Sequence, residues 1–460
     1  MVNKAMPNNS QNTGNYTIAK AVMWSQLTSE QQRDALARPA QKASDELMTR
    51  VQDIIQQVRD QGEQALLALT AQFDGVQLDT VVLDITTVRA QADKTDADVK
   101  RAIDQAYANI KAFHAAQAPS PVRMETMPGV LCEQRFAPLE KVGLYIPGGS
   151  ASLPSTVLMC GVPAQLAGCS ERVLISPPNK EGLLSPAICY AALKCEVTKV
   201  CLGGGAQAIA ALALGTENIP AVDKIVGPGN SYVTAAKQLV SQLPGGPAID
   251  LPAGPSELLV IADDSADPIF VAADLLSQAE HGPDSQVLLL SPSARLVEAT
   301  RQELERQLNA LPRAQITAQA LQSSSLIVTA DLAEAAQISQ RYAPEHLSLQ
   351  IENAEDWIAR TDKAGSIFVG HYAPESGGDY ATGTNHVLPT YGYARNYSSL
   401  GLADFYRRYT VQNLTPQGLQ DLAPTLIAMA AEEQLDAHLQ AVALRLSSSR
   451  MQQDLAGEQS

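Results

Sequence analysis

From position 141 to 369, short apolar runs alternate with stretches of helical periodicity, and this pattern constrains the fold more than any other feature of the chain. The runs are 141–147, 172–176, 197–202, 224–226, 257–262, 286–290, 325–328 and 366–369. A strand that is apolar on both faces belongs in a parallel sheet with helices on both sides, since each crossover helix returns the chain to the same edge. These strands are too many for one small sheet, so two α/β modules are expected. Helical extensions flank them over 45–73, 95–116 and 424–451, with Pro424 suited to a first helical position. Pro/Gly clusters at 244–247 and 252–255 mark linkers, and no exact internal repeat is present.

The chain has 460 residues, which corresponds to about three domains as a soft prior. A net charge of −16 argues against nucleic acid or an anionic membrane as a partner, because phosphate binding needs clustered Lys and Arg. The polar, Asn-rich stretch 1–16 lacks the apolar core of a secretory signal, and no apolar run approaches the length of a membrane helix. The cysteines at 132, 160, 169, 189, 195 and 201 form no CxxC pair. They read as small buried hydrophobes in a reducing cytoplasm.

Three glycine-rich turns follow expected strands: 146–150, 203–208 and 227–230. Such turns let backbone N–H groups and a helix start approach a phosphate. The second fits GxGxxA, but a ribose-binding acid about 20 residues on is missing. Each turn alone is an ordinary strand-to-helix connection; three within one segment favour a nucleotide-binding module.

Two polar clusters stand out among only six histidines. Asp267-Pro268 can cap a helix that Gly282-Pro283 ends. On it, Asp274, Gln278 and His281 share a strip apart from the apolar Ile269, Ala272, Ala273, Leu276 and Ala279. This helix alone is better accounted for by a solvated polar face than by a metal site. A metal would need further ligands, with Asp379, His371, His386 and His438 as candidates, and an N/O-ligated site would leave room for substrate atoms. The second cluster, Glu345-His346 after Pro344, belongs at a strand start or bend. It fits a charged pair at a loop edge as well as it fits an acid–base pair.

Longer motifs resemble a known family. They are LYIPGGSA from Leu144, GGAQAIAALA from Gly204, GPGNSYVT from Gly227, DLPAGPSE from Asp250, DLLSQAEHGPDSQV from Asp274, APEHL from Ala343, GSIFVG from Gly365 and SGGDYATGTNHVLPT from Ser376. In kind and order these resemble the histidinol dehydrogenases of histidine biosynthesis, over about residues 20–450. The resemblance implies an α/β fold of two Rossmann-like modules of modified topology, with helical N- and C-terminal extensions, in an intertwined homodimer. The expected division is an N-terminal extension over 1–44, a discontinuous first module over 45–144 and 256–400 with the metal and acid–base residues, an NAD-binding module over 145–255, and a tail over 401–460 that completes the partner's site.

The implied reaction is a four-electron oxidation of L-histidinol to L-histidine through the aldehyde and its hydrate, with two NAD⁺. The resemblance assigns one Zn²⁺ per subunit to Gln278, His281, Asp379 and His438, holding the substrate's amino and imidazole nitrogens. His346 becomes the base in both steps, and Glu345 activates the water that adds to the aldehyde. Ser256, His386 and Glu433 become substrate contacts, together with His346 and the four metal ligands. Tyr145, Gln207 and Asn230 become NAD contacts, in or beside the three glycine turns. In the dimer, His438 and Glu433 would serve the partner. No cysteine falls at a catalytic motif, so a thioester route is not expected. The competing readings are a metal-dependent hydrolase, which needs no glycine turns, and a non-catalytic metabolite-binding relative, which would normally have lost Glu345 or His346.

Overall fold

A computed structural model describes residues 18, 21–39, 45–148, 152–251 and 254–458. The polar stretch 1–16, the end of the 146–150 turn and the first half of the 252–255 linker lie outside the described residues. The chain is α/β and divides into two compact units, one of residues 1–117 and 139–405, the other of 118–138 and the chain from Tyr406 onward.

The larger unit contains two six-stranded sheets. In spatial order the first is Val22–Met23, Ser325–Val328, Gln286–Ser291, Glu257–Ala262, His346–Gln350 and Ser366–Val369, parallel throughout. The second is Val82–Leu83, Lys199–Leu202, Glu171–Ser176, Lys141–Tyr145, Lys224–Val226 and Ala248–Ile249, parallel except at Val82–Leu83. Counting along the chain from Glu257 and from Lys141, each sheet runs 3-2-1-4-5 and carries a two-residue strand beside strand 3. The strand order is therefore duplicated although no exact sequence repeat exists. Each sheet reverses direction between strands 1 and 4, where the crossovers diverge and leave a crevice.

Strict alternation packs the first sheet on both faces. Leu258, Val260, Val287 and Leu289 join helix Pro268–Ala279 on one side, while Leu259, Ile261, Leu288 and Leu290 pack with Trp24, Ile338 and Tyr342 on the other. Each such side chain contributes about 1.5–3 kcal/mol when removed from water.

Two expectations need correction. Segment 45–144 does not belong wholly with 256–400: its strands Val82–Leu83 and Lys141–Tyr145 lie in the second sheet. Helices Asp45–Gln61 and Glu63–Phe73 also join that sheet's core, because the stripe Leu47, Val51, Ile54, Val58 meets the Ala-rich helix Gly205–Leu214. Pro424 does not start a helix. Thr415 caps Pro416–Glu432 by accepting from Gly418 N, and Pro424 lies inside it.

The smaller unit has an antiparallel sheet of Tyr406–Leu414, Val130–Pro138 and Val122–Met127, followed by helices Pro416–Glu432, Asp436–Leu446 and Ser449–Glu458. Its strands are largely exposed and charged, so they carry no apolar run to betray them.

Candidate active site

Strand His346–Gln350 is buried along its whole length, yet every second residue is polar. His346, Ser348 and Gln350 share the face that Leu258 presents on the neighbouring strand, while Leu347 and Leu349 enter the opposite core. A buried polar seam results, in which Gln350 Nε2 donates to Asp274 Oδ2 at 2.8 Å. The Asp274–Gln278 strip is therefore not a solvated face. Asp274 and Gln278 are both buried, and it is Ile269 and Ala273, assigned to the apolar stripe, that are exposed. Asp267 caps this helix as expected, accepting from Ile269 N.

The seam ends at the amino-terminal edge of the sheet. The strand entrance is sharply turned: Ala343 adopts a left-handed φ of 52°, and Gly365 leaves room where a Cβ would meet Glu345 O at 2.7 Å. Glu345 Oε2 accepts from Glu257 N at 2.8 Å, and His346 Nδ1 lies 3.0 Å from Glu257 O. The two side chains approach each other at 3.6 Å. A carbonyl only accepts, so Nδ1 carries the proton and Nε2 is the ring's free lone pair. Burial pushes the His346 pKa down to about 3, leaving a neutral imidazole, and pushes Glu345 well above the usual carboxylate range.

Around this pair stand His281, just past the helix end, and Asp379, on helix Glu375–Tyr380. His281 Nε2 lies 3.6 Å from Asp379 Oδ2, and its Nδ1 lies 3.3 Å from Ser256 Oγ. His386 Nδ1 lies 3.8 Å from Asp379 Oδ1, and Thr156 Oγ1 lies 3.4 Å from its Nε2. Burial lowers His386 to about 4 and raises Asp379 to about 6. The structure thus brings together Ser256, His281, Glu345, His346, Asp379 and His386, with Gln278 on the last turn of the helix that leads into His281. His371, a candidate ligand from sequence, lies past the other end of the sheet, its Nε2 3.3 Å from Ser265 Oγ. Glu433 and His438 belong to the smaller unit and are exposed.

The donor set fits a cation. Both amide atoms of Gln278 are buried without a hydrogen-bond partner, an arrangement that costs about 1–3 kcal/mol unless something binds there. Gln, His and Asp make an N/O set suited to a borderline divalent metal. A neighbouring group, His346, Glu375 and Asp379, places ligand atoms within 4.8 Å of one another. Sequence reading missed Glu375, although it sits one turn before Asp379. Its Oε2 accepts from Ser277 Oγ at 2.9 Å, its Oε1 is buried and unpaired 3.9 Å from His346 Nε2, and burial beside Asp379 raises its pKa to about 8.

Tyr145, Gln207 and Asn230 gather at the carboxyl edge of the second sheet. Tyr145 ends its strand, Gln207 opens helix Gly205–Leu214, and Asn230 caps helix Ser231–Ser241. Tyr145 Oη accepts from Gly205 N at 3.1 Å, and Gly227, at φ 121°, abuts Tyr145 O. This is the sheet's switch point, where open α/β sheets hold nucleotides, and the crowded glycine backbone and helix starts suit a pyrophosphate. No cysteine joins either cluster: all six are free, and all but Cys132 are buried. Among the described residues no helix is long and apolar enough to cross a membrane.

The model of the family described as histidinol dehydrogenase matches residues 36–446. The histidinol dehydrogenase of Idiomarina loihiensis is 60% identical over 92% of this chain and 96% of its own, and that of Colwellia psychrerythraea is 55% identical over 93% and 99%. The crystal structure of histidinol dehydrogenase from Elizabethkingia anophelis superposes with a TM-score of 0.88 at 45% identity, covering 91% of this chain and 96% of that one. With sequence, fold and a candidate metal site in agreement, the chain belongs to the histidinol dehydrogenase family, NAD-dependent oxidoreductases that convert histidinol to histidine.

Proposed function

We propose that the side-chain cluster at the amino-terminal edge of the first sheet oxidises L-histidinol to L-histidine in two steps, with the acid–base work divided between His346 and Glu345. The observation that carries this is the free Nε2 of a neutral, buried His346, held by Glu257 O. In the first step Nε2 takes the carbinol hydroxyl proton as hydride leaves for NAD⁺. In the second, Glu345 takes a proton from the water that adds to the aldehyde, His346 returns its proton to the former carbonyl oxygen, and the neutral ring then deprotonates the hydrate as the second hydride leaves for another NAD⁺. Hydride transfer is the chemistry NAD⁺ supplies, and Tyr145, Gln207 and Asn230 would hold it.

Zn²⁺ would be held by Gln278, His281 and Asp379, with His438 from a second chain. It would serve as a template that fixes the substrate's amino and imidazole nitrogens. Ser256, His386 and Glu433 would contact the same substrate. The unpartnered Gln278 amide supports this ligand set over the His346–Glu375–Asp379 group, because it leaves His346 free to act as a base. The intertwined homodimer belongs to the same proposal. Helix Asp436–Leu446, which carries His438, buries none of its residues, and its N-cap Leu435 and Leu444 stand exposed, as expected of a surface that a second copy covers. The fully or largely buried free cysteines agree with a reducing, cytoplasmic setting.

The test is NADH formation from L-histidinol, with and without chelator. Two NADH per histidinol, lost on chelation and restored by Zn²⁺, is the expected result. No NADH from metal-replete protein would sink the reading and favour a hydrolase.

A further inference from the structure

The backbone N–H and C=O of Glu257 hold the two members of the acid–base pair, so whatever fixes Glu257 fixes them. Its carboxylate is buried and accepts from Arg38 Nε at 2.5 Å, Arg38 Nη2 at 2.9 Å and Tyr391 N at 2.8 Å. Arg38 belongs to the N-terminal segment, 219 residues before Glu257. The same Nη2 also donates to Tyr342 O at 2.8 Å, and the guanidinium carbon lies over the Tyr342 ring, 3.8 Å from its centroid. Tyr342 is anchored in turn, donating from its hydroxyl to Gln286 Oε1 at 2.7 Å.

Arg38 therefore grips both the strand that holds the pair and the helix end that leads into it. One contact is the Glu257 side chain at the start of strand 1. The other is the carbonyl just before Ala343, whose left-handed backbone swings Pro344 and Glu345 into the site. A left-handed alanine is strained and persists only where its surroundings enforce it. A planar fork with several donors suits this double grip, and a lysine ammonium does not reproduce it.

We propose that Arg38 is a positioning residue for the acid–base pair, bridging the Glu257 carboxylate and the Tyr342 carbonyl and so fixing the Glu257 backbone that hydrogen-bonds Glu345 and His346. The inference rests on the proposed roles of that pair.

The experiment compares wild-type holoenzyme with Arg38→Ala, Arg38→Lys and Glu257→Gln. Arg38→Ala should lower kcat by about tenfold to 100-fold, as expected for a small misplacement of a reacting group. KM for NAD⁺ should change by less than about twofold, because the cofactor edge is elsewhere. Millimolar guanidinium should restore part of the loss, Arg38→Lys should fall between, and Glu257→Gln should resemble Arg38→Ala. A second arm needs no turnover. In ¹⁵N-histidine-labelled protein the His346 ring proton, assigned by its loss in His346→Gln, should sit on Nδ1 alone in wild type and be weakened or lost in Arg38→Ala. An Arg38→Ala protein with wild-type kcat and an unchanged ring proton overturns the proposal. So does a loss of kcat that tracks the folded fraction and resists guanidinium. Should wild type make no NADH from histidinol, the functional reading falls, while the ring-proton arm still decides the role of Arg38.

Discussion

His346 Nδ1 donates to the carbonyl oxygen of Glu257, 3.0 Å away across two adjacent parallel strands. A main-chain partner selects the ring tautomer here, where many enzymes use a carboxylate. The Glu345 carboxylate, which could have filled that place, instead accepts from Glu257 N. One residue's backbone thus holds both groups and keeps their tasks separate.

The first prediction concerns pH. With its pKa pushed down to about 3, His346 is already neutral throughout the usual range around 6.5. The pre-steady-state rate of the first NADH should therefore show no acid limb near pH 6.5, and a limb there would mean that the base is exposed or is another residue. His346→Ala should slow that first step by about 10²–10⁴-fold.

Glu345 should act later. As a proton acceptor it must be ionised, and burial raises its pKa, so its step should speed up as pH rises while the first step stays flat. Glu345→Gln should leave the first NADH nearly intact and suppress the second, detected as accumulated aldehyde. Equal loss in both steps would count against this division of labour.

Much of this was legible in the sequence, and what was not has physical reasons. The parallel strands declared themselves because burial on both faces forces continuous apolar runs. His346–Gln350 escaped that pattern because its alternate residues build the polar seam. That alternation, His-Leu-Ser-Leu-Gln, is itself the signal: a strand between two apolar neighbours with polar residues on one face must be serving a buried network. Glu375 could have been found from its spacing of four from Asp379. Arg38 could not, since nothing local distinguishes it from any other surface arginine, and its partners are 219 and 304 residues away. The exposed antiparallel sheet was equally silent.

Gln278 offers a test of the metal site that does not need catalysis. Its two amide atoms are buried and unpaired. Gln278→Leu should therefore stabilise the metal-free protein by about 1–3 kcal/mol while weakening Zn²⁺ affinity, measured by calorimetry, by about 10-fold or more. His346→Ala should bind the ion as wild type does. If instead His346→Ala abolishes binding and Gln278→Leu spares it, the ion belongs to the His346–Glu375–Asp379 group.

Glu375 makes a pH prediction for stability. Its pKa rises from an ordinary 4.5 to about 8 in the fold. Between those values the folded chain keeps a proton that the unfolded chain has released, so this group's contribution falls as pH rises through the window. Glu375→Gln removes that dependence. Its thermal midpoint in chelated protein should match wild type near pH 4.5 and exceed it by on the order of a few °C at pH 8. Zn²⁺ should shrink the difference, since a nearby cation favours the carboxylate. A gap that does not vary with pH would place Glu375 in solvent contact instead.

Gly227 is where the cofactor turn meets its strand. Its φ of 121° is open to glycine and strained for any other residue, and a Cβ would lie 2.0 Å from Tyr145 O. The turn is further clamped on both sides of that residue, because Gly227 N donates to Asp250 Oδ2 at 2.8 Å and Lys237 Nζ donates to Gly227 O at 2.9 Å. Lys237 and Asp250 are themselves a buried ion pair, so the turn cannot shift to admit a methyl group without breaking charged hydrogen bonds. Gly227→Ala should therefore displace Asn230 and Tyr145 together. NAD⁺ affinity, followed by fluorescence titration, should weaken by about tenfold or more, while Zn²⁺ binding at the other sheet stays within about twofold of wild type. Equal weakening of both ligands would indicate general unfolding, and unchanged NAD⁺ affinity would move the cofactor away from this turn.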